Sequence, residues 1–501
     1  MKRIIYIIPI LILGIFGCKK NDAPFETDQE ILSSWNYSSE SYLKDSTLYF
    51  TKLLSLWQNN IVPSQVNDIL DSIKVRRITK DYDKAENVLE YLINMTPKDP
   101  ETGDPYDRFS FLDRQGVVNE EIQNARSTSY GIYVIYLQTS EAKRDNDNAH
   151  LYVRMLDLNS PAYIAGLRRG DRILSINGDT KYDYNTQKAQ NFRGINDALN
   201  SASMDIKWQK PNGETFEKSI IQTQYTINPI LSNWIKEIGG KKVGYFAFSS
   251  FISIVSQNQL NSLYNNLQSM FNSFETQGVK HLIVDLRYNG GGSTFTAEYL
   301  ANKLAPRTAN GKRMYYYKLN DVVKEELGSD FEPVDFSKNG NLELTKVYFL
   351  VTSSTASASE LLINSLKPYM DVQIIGSEKT YGKPVGFWGI PIGQKSNKAD
   401  IYVTSFQMFN AANFGDYFGG LAPNKITRED FLKDFGDVEE GFIAEALYNI
   451  QNGSYTSATQ SALSPSNSQR VNNTYNIKTI NTRASDIGMF KFRNKSLNWK
   501  D

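Results

Sequence analysis

Apolar and polar positions change their spacing along the chain, and each change marks a different kind of element. From about Gln29 to Leu112 apolar residues recur three and four apart, as in SYLKDSTLYFTKLLSLW and KAENVLEYLINM. That is the spacing of amphipathic helices, and it predicts a helical N-terminal module. TPKDPETGDPYDR is its turn-rich exit. From about Tyr130 to Thr226 short strands take over. Val153 to Leu156 reads as a strand. Ser160-Pro161 opens a short helix that stops at Gly166. Gly170-Asp171 is a turn, Ile173 to Ile176 a strand, and Asn177-Gly178 a tight hairpin turn. From about Lys241 to Ile450 strands alternate with helices, which predicts a mostly parallel sheet. KHLIVDLRYNGGGSTFTAEYLANKLA and KVYFLVTSSTASASELLINSLKPY each read as strand, loop, helix, and VQIIGSEKTYGK as strand then loop. Residues 451–501 are rich in Ser, Asn and Thr, with seven basic residues against two acidic. They read as a weakly structured, solvated tail.

The first residues, MKRIIYIIPILILGIFGCKKND, carry an apolar run too short to span a bilayer comfortably and suited to a secretory leader. Cys18 is the sole cysteine, so no intrachain disulfide can form. IFGC resembles a bacterial lipobox, which implies a lipid on Cys18 and a flexible tether from Asn21 to Glu30. The expected location is the bacterial cell envelope, anchored by lipid at the outer membrane and facing periplasm or surface.

Length adds a bound: 501 residues exceed one ordinary core and suit several domains. Lys plus Arg number 55 and Asp plus Glu number 55, so a nucleic-acid partner is not expected. Two histidines and one cysteine leave no obvious metal site, and no cofactor is required.

In a parallel sheet, functional groups gather beyond the carboxyl ends of the strands. Three such ends follow Arg287, Thr352 and Ile375, and their loops are NGGGS, SSTASASE and GSEKTYGK. If the strands are neighbours, the loops share one crevice. Ser357 then sits at the mouth of a helix, where unpaired N–H groups can hold an oxyanion. The backbone N–H of Ala358 is one donor, and Gly291 is favoured over Gly290 for the other. Two plainer readings compete. Ser357-x-x-Glu360 is also a helix capping box, and three glycines also make an ordinary turn. A serine nucleophile needs a base. His150 opens a strand of another domain, and His281 precedes LIVDL, at the wrong end of its strand. Lys383, in TYGKPVG, remains. An ordinary lysine, with a pKa of about 10.4, is almost entirely charged at pH 7, but burial without a counter-ion lowers that value. Tyr381, Pro384, Val385, Phe387 and Trp388 could supply apolar cover, with Glu378 and Lys379 pointing away.

Resemblance to known families resolves part of this. SPAYIAGLRRGDRILSINGD is similar to a PDZ domain, with FRGINDALNSA as the helix beside its peptide groove. Such domains add an extended peptide as a strand. The carboxylate-binding loop falls near SYGIYVIYL, implicating Gly131 and Ile132. Tyr133 stands where the usual second glycine would be. This module, IVDLRYNGGG, TASASELL and TYGKPVG follow the order seen in carboxyl-terminal processing peptidases, Ser-Lys proteases with a crotonase-like core. The resemblance spans roughly Asp107 to Ile450, from DRFSFLD to FGDVEEGFIAEAL. It implies Ser357 as nucleophile, Lys383 as base, and Gly291 and Ala358 as oxyanion donors. The implied substrates are proteins or peptides with exposed C-terminal segments. Phe387 occupies the position where many members carry a glutamine that orients the lysine. Gln394 and Glu360 are the substitutes considered.

The expected architecture is a multidomain α/β chain: leader 1–18, tether and helical module 19–115, PDZ domain 116–228, crotonase/ClpP-like α/β catalytic domain 229–450, and polar tail 451–501. The competing functions are a catalytically inactive peptide-binding lipoprotein on the same fold and an acyl-CoA enzyme of the crotonase type.

Overall fold

The computed structural model describes residues 27–33, 39–138, 149–394, 397–457, 475–480 and 488–491. Cys18 and the leader lie outside these residues. Among the described residues no helix is long and apolar enough to cross a membrane. The fold is mixed α/β, built on three main sheets.

The central sheet runs Lys425–Ile426, Val372–Gly376, Lys346–Val351, His281–Asp285, Lys241–Phe248, Ile230–Ile238, with every pairing parallel except the last. Its strands are continuous apolar runs because helices cover both faces. Side chains alternate between two cores. Leu282, Val284, Val347 and Phe349 face helices Ser262–Thr276, Thr294–Leu304 and Ala358–Leu366. Ile283, Tyr348, Leu350 and Ile375 face helix Gly441–Asn452. Asp285 is level with Leu350, and Leu350 with Ile375. The three predicted loops therefore leave the same edge side by side.

A second sheet orders Tyr475–Ile480, Ile132–Gln138, His150–Leu156, Arg172–Ile176, Ser203–Gln209, Thr215–Ile221. Its helix Pro161–Ala165 starts on Ser160, whose Oγ accepts from the Tyr163 N–H, and stops at Gly166 with φ 107°. Asn177 and Gly178 both take positive φ and close a two-residue turn between Ile176 and Asp179. Tyr133 turns away from this sheet's own core and packs with Ile135 and Leu137 against Tyr288 and Phe431, joining the second sheet to the central one.

The third sheet centres on the long pair Val385–Gln394 and Asn397–Asn410. The N-terminal helices Glu40–Leu54, Ser72–Thr79 and Ala85–Asn94 share a core of Leu48, Val75, Val88 and Leu92. They dock on this sheet, where the Leu56 N–H donates to the Thr404 carbonyl.

Three expectations change. The helical pattern does not reach Leu112: Phe111–Asp113 is a strand paired with Tyr402, Ile401 and Asp400, because Phe111 stacks on Tyr402 at 5.0 Å. The tether does not extend to Glu30: Asp28–Ser33 is helical, capped by reciprocal bonds between Thr27 and Glu30 and tied to Arg77 at 2.7 Å. The tail is not wholly solvated. Tyr475–Ile480 and Met489–Phe490 are strands, the first in the second sheet and the second between Gly292–Ser293 and Val385–Gln394.

Candidate active site

The hydroxyl-rich corner after Lys346–Val351 divides into structural hydroxyls and one that differs. Thr355 Oγ1 donates to the Leu286 carbonyl at 2.8 Å, and Ser359 Oγ to the Asn289 carbonyl at 3.1 Å. These bonds stitch the serine turn to the glycine loop. Ser357 is buried, and its Oγ has no hydrogen-bond partner. Its backbone sits at φ 63°, ψ −112°, a conformation that costs a non-glycine residue free energy and is typical of functional turns.

The capping box is only half engaged. Glu360 Oε2 accepts from the Ser357 N–H at 2.8 Å, while Ser357 Oγ faces the first helical turn without forming a cap hydrogen bond. Glu360 does more than cap. The same Oε2 accepts from the Lys383 N–H at 2.9 Å. Oε1 accepts from the Gly382 N–H at 2.8 Å and from Thr380 Oγ1 at 2.5 Å. One buried carboxylate thus fixes the backbones of Ser357 and Lys383 on a single oxygen. Burial pushes this carboxyl above its usual range, and the four donors pull it back. Glu360 is a brace between the two loops.

Lys383 is fully buried, with Nζ 3.8 Å from the Phe387 ring centre and 4.8 Å from that of Phe109. Burial holds its amine well below the ordinary lysine value, against the opposing pull of Asp107 and Glu360. Glu378 and Lys379 are exposed. Phe387 therefore covers the amine. Gln394 is exposed at the far end of its strand, beside Asp113 and Arg114.

Gly291 and Gly292 take φ 113° and 134°, which L side chains rarely adopt. A side chain at Gly291 would press within 2.9 Å of Ser357 Cβ and 3.1 Å of the Ala358 nitrogen, so the glycine loop lies against the serine turn. The Gly291 N–H donates to Asn289 Oδ1 at 3.0 Å. The N–H that meets a peptide carbonyl in the cleft is that of Gly292, which donates to Gly488 at 2.5 Å. His281 begins its strand at the opposite edge of the sheet, and His150 begins a strand of the second sheet.

Sequence reasoning missed several residues here. Asp107, buried, accepts from Ser110 Oγ and from Thr404 Oγ1 at 2.8 Å and is the first charge acting on Lys383. Asn289 anchors the glycine loop through Gly291 and through the Phe248 carbonyl at 2.7 Å. Arg287 is fully buried against Asp285 at 2.6 Å, Glu440 at 3.1 Å and Glu429 at 3.2 Å. Glu429 also meets Arg169 of the second sheet's unit at 2.5 Å. The one available signal was local: DLRYN puts a charged pair at the end of an apolar strand, where an unpaired charge is costly.

Gly131 and Ile132 border a cleft of about 400 Å³ lined also by Ser129, Tyr130 and Leu199. The Gly131 N–H donates to Ser129 Oγ at 3.1 Å. Among the described residues no cluster suited to a metal ion occurs.

A buried serine hydroxyl, a buried amine with its charge disfavoured and backbone donors at a helix start make up the equipment of an acyl-transfer site. Residues 242–423 match the model of Peptidase family S41. The chain is similar to that family over this stretch. It is 27% identical over 278 residues to a carboxyl-terminal-processing protease of Synechocystis sp., covering 54% of this chain and 58% of that protein. It is 24% identical over 310 residues to the carboxy-terminal processing protease CtpB of Bacillus subtilis, covering 58% and 59%. The matches thus span under two thirds of these relatives. In fold it is similar to a solved Bacteroides fragilis chain assigned to the S41 proteases, with TM-score 0.60 and 23% identity over 84% of this chain and all of that one.

Proposed function

We propose that the protein is a serine endopeptidase of the carboxyl-terminal processing type, with Ser357 as nucleophile and Lys383 as general base. The observation that carries this reading is the shared oxygen of Glu360, which pins both residues' backbones beside a glycine loop while Ser357 Oγ has no hydrogen-bond partner. The neutral Lys383 amine takes the Ser357 proton as Oγ attacks a peptide carbonyl, and returns it to the leaving nitrogen. The acyl-enzyme is then hydrolysed by water. The oxyanion is held by backbone N–H groups of the glycine loop and of Ala358. Asp107 and Glu360 act as positioning residues, taking over the task for which Phe387 has no suitable atoms.

The second sheet with helix Arg193–Asn200 is a PDZ-type module that recruits unfolded or exposed C-terminal segments by strand addition along Ile132–Gln138. Lipid on Cys18 holds the enzyme at the cell envelope. Ser357→Ala is the test. It should abolish cleavage of a flexible protein such as casein while leaving peptide binding and the melting temperature near wild type. A wild-type protein that binds C-terminal peptides and cleaves nothing would instead be an inactive peptide-binding lipoprotein.

A further inference from the structure

Two described pieces of the C-terminal tail sit in the two places where a peptide substrate belongs. Tyr475–Ile480 adds to Ile132–Gln138 as an antiparallel edge strand, with Ile480 opposite Val134. Ile480 is buried among Ile132, Val134, Ile195 and Leu199, the floor and helix wall of the groove. Eight residues later the chain re-enters at the serine. The Gly488 carbonyl accepts the Gly292 N–H, and Met489 and Phe490 lie fully enclosed between the glycine strand and the strand that follows Lys383.

The cleft reads this segment residue by residue. The Phe490 ring folds back over Gly488 within the segment itself, where a side chain would meet it. Phe490 fills an aromatic slot, 5.6 Å from Phe387 and 5.3 Å from Tyr402 by ring centres. The Lys491 N–H donates to the Phe387 carbonyl at 3.2 Å, and Nζ donates to Tyr317 Oη at 3.0 Å, over the rings of Tyr317 and Phe331. Beneath it Glu298 donates nothing and accepts from Tyr315 Oη at 2.6 Å. The Tyr317 hydroxyl and the faces of Tyr317 and Phe331 give this pocket the geometry to hold a cation, while burial raises the Glu298 carboxyl against the opposing Lys491 charge.

We propose that the tail is the enzyme's own first substrate, cut in cis between Gly488 and Met489. The inference rests on the Ser357–Lys383 reading above. Ser357 Oγ attacks the Gly488 carbonyl carbon. The Gly488–Met489 C–N bond breaks, and Lys383 carries the Ser357 proton to the Met489 nitrogen. Water then hydrolyses the Gly488 ester and leaves a carboxylate there. A tethered peptide has an effective concentration of about millimolar or more, so the uncut tail outcompetes dilute substrates. Cutting clears the cleft. It also shows the downstream preference for other substrates: an aromatic residue second after the bond and a basic residue third.

The test is the intact mass of freshly folded full-length protein followed over time, with casein cleavage measured in parallel. Wild type should lose Met489–Asp501 as one fragment, at a rate independent of protein concentration, and Ser357→Ala should keep its tail. Lys491→Met should slow the loss by about tenfold by removing the ammonium that Tyr317 and Phe331 hold. Wild type that cuts casein yet retains its tail, or loses it at another bond, overturns the proposal and leaves the peptidase reading standing. Wild type that cuts neither overturns both.

Discussion

Two buried basic side chains lie in the region of the candidate site and have opposite fates. Arg287 meets three carboxylates, those of Asp285, Glu429 and Glu440. Burial works against its charge, but the carboxylates outweigh it and hold the guanidinium well above its ordinary value. Lys383 meets two aromatic rings, and there burial wins. The difference is chemical as well as environmental. A guanidinium stays protonated in any protein site, whereas an amine can be stripped of its proton by its surroundings. A permanently charged group serves to lock loops together. A group whose charge is disfavoured can serve as a base.

That contrast can be broken most strongly at the site itself. Ser357→Ala and Lys383→Ala should each lower kcat on casein by about 10⁴-fold or more, because the pair acts as a unit. Lys383→Arg should not restore activity, since its guanidinium cannot accept the proton. Recovery of wild-type rates by the arginine variant would remove the lysine from proton transfer.

Arg287→Ala comes next. It strands three buried carboxylates and should destabilise the fold by about 3–5 kcal/mol, read from denaturant unfolding. A loss below about 1 kcal/mol would mean that this cluster is not the lock described. Glu360→Ala removes the acceptor shared by four donors and should cost about 1–3 kcal/mol together with activity.

The smallest effect runs the other way. A lysine with a depressed folded value sheds a proton that the unfolded chain keeps. It therefore costs stability at every pH below its folded value, and the cost fades as pH rises towards about 10.4. Lys383→Met should melt higher than wild type at pH 7 while losing activity, and the gap should close on the alkaline side. A lysine variant that melts lower at pH 7 would count against the depressed value. The same sign sets the rate profile: activity rises as pH climbs through the folded Lys383 value, which lies below the ordinary one.

The central sheet was legible because fully buried parallel strands are uninterrupted apolar runs, as in HLIVD and KVYFLV. The turns of the second sheet were legible because Gly166, Asn177 and Gly178 sit where positive φ is required. The serine turn was not legible from spacing. A capping box and a nucleophile turn share the same four residues, and only the Ser357 Oγ environment separates them. The nucleophile reading of Ser357 is what the resemblance implies. Asp107, Glu429 and Glu440 escaped notice because Thr404, bound by the first, and Arg287, bound by the other two, lie far away in sequence, and an acidic residue in a loop looks solvated. The tail strands were hidden by polar composition: Met489–Phe490 is two residues long, too short for any periodicity to reveal.

The central claim is that burial holds the Lys383 amine well below the ordinary lysine value in the folded protein. The direct measurement is a pH titration of the Lys383 side chain by NMR, using ¹³C-labelled lysine in the Ser357→Ala protein, with Lys383→Met identifying the signal. The account predicts a transition well below the ordinary lysine value of about 10.4. A Lys383 signal that titrates at or above that value would contradict it.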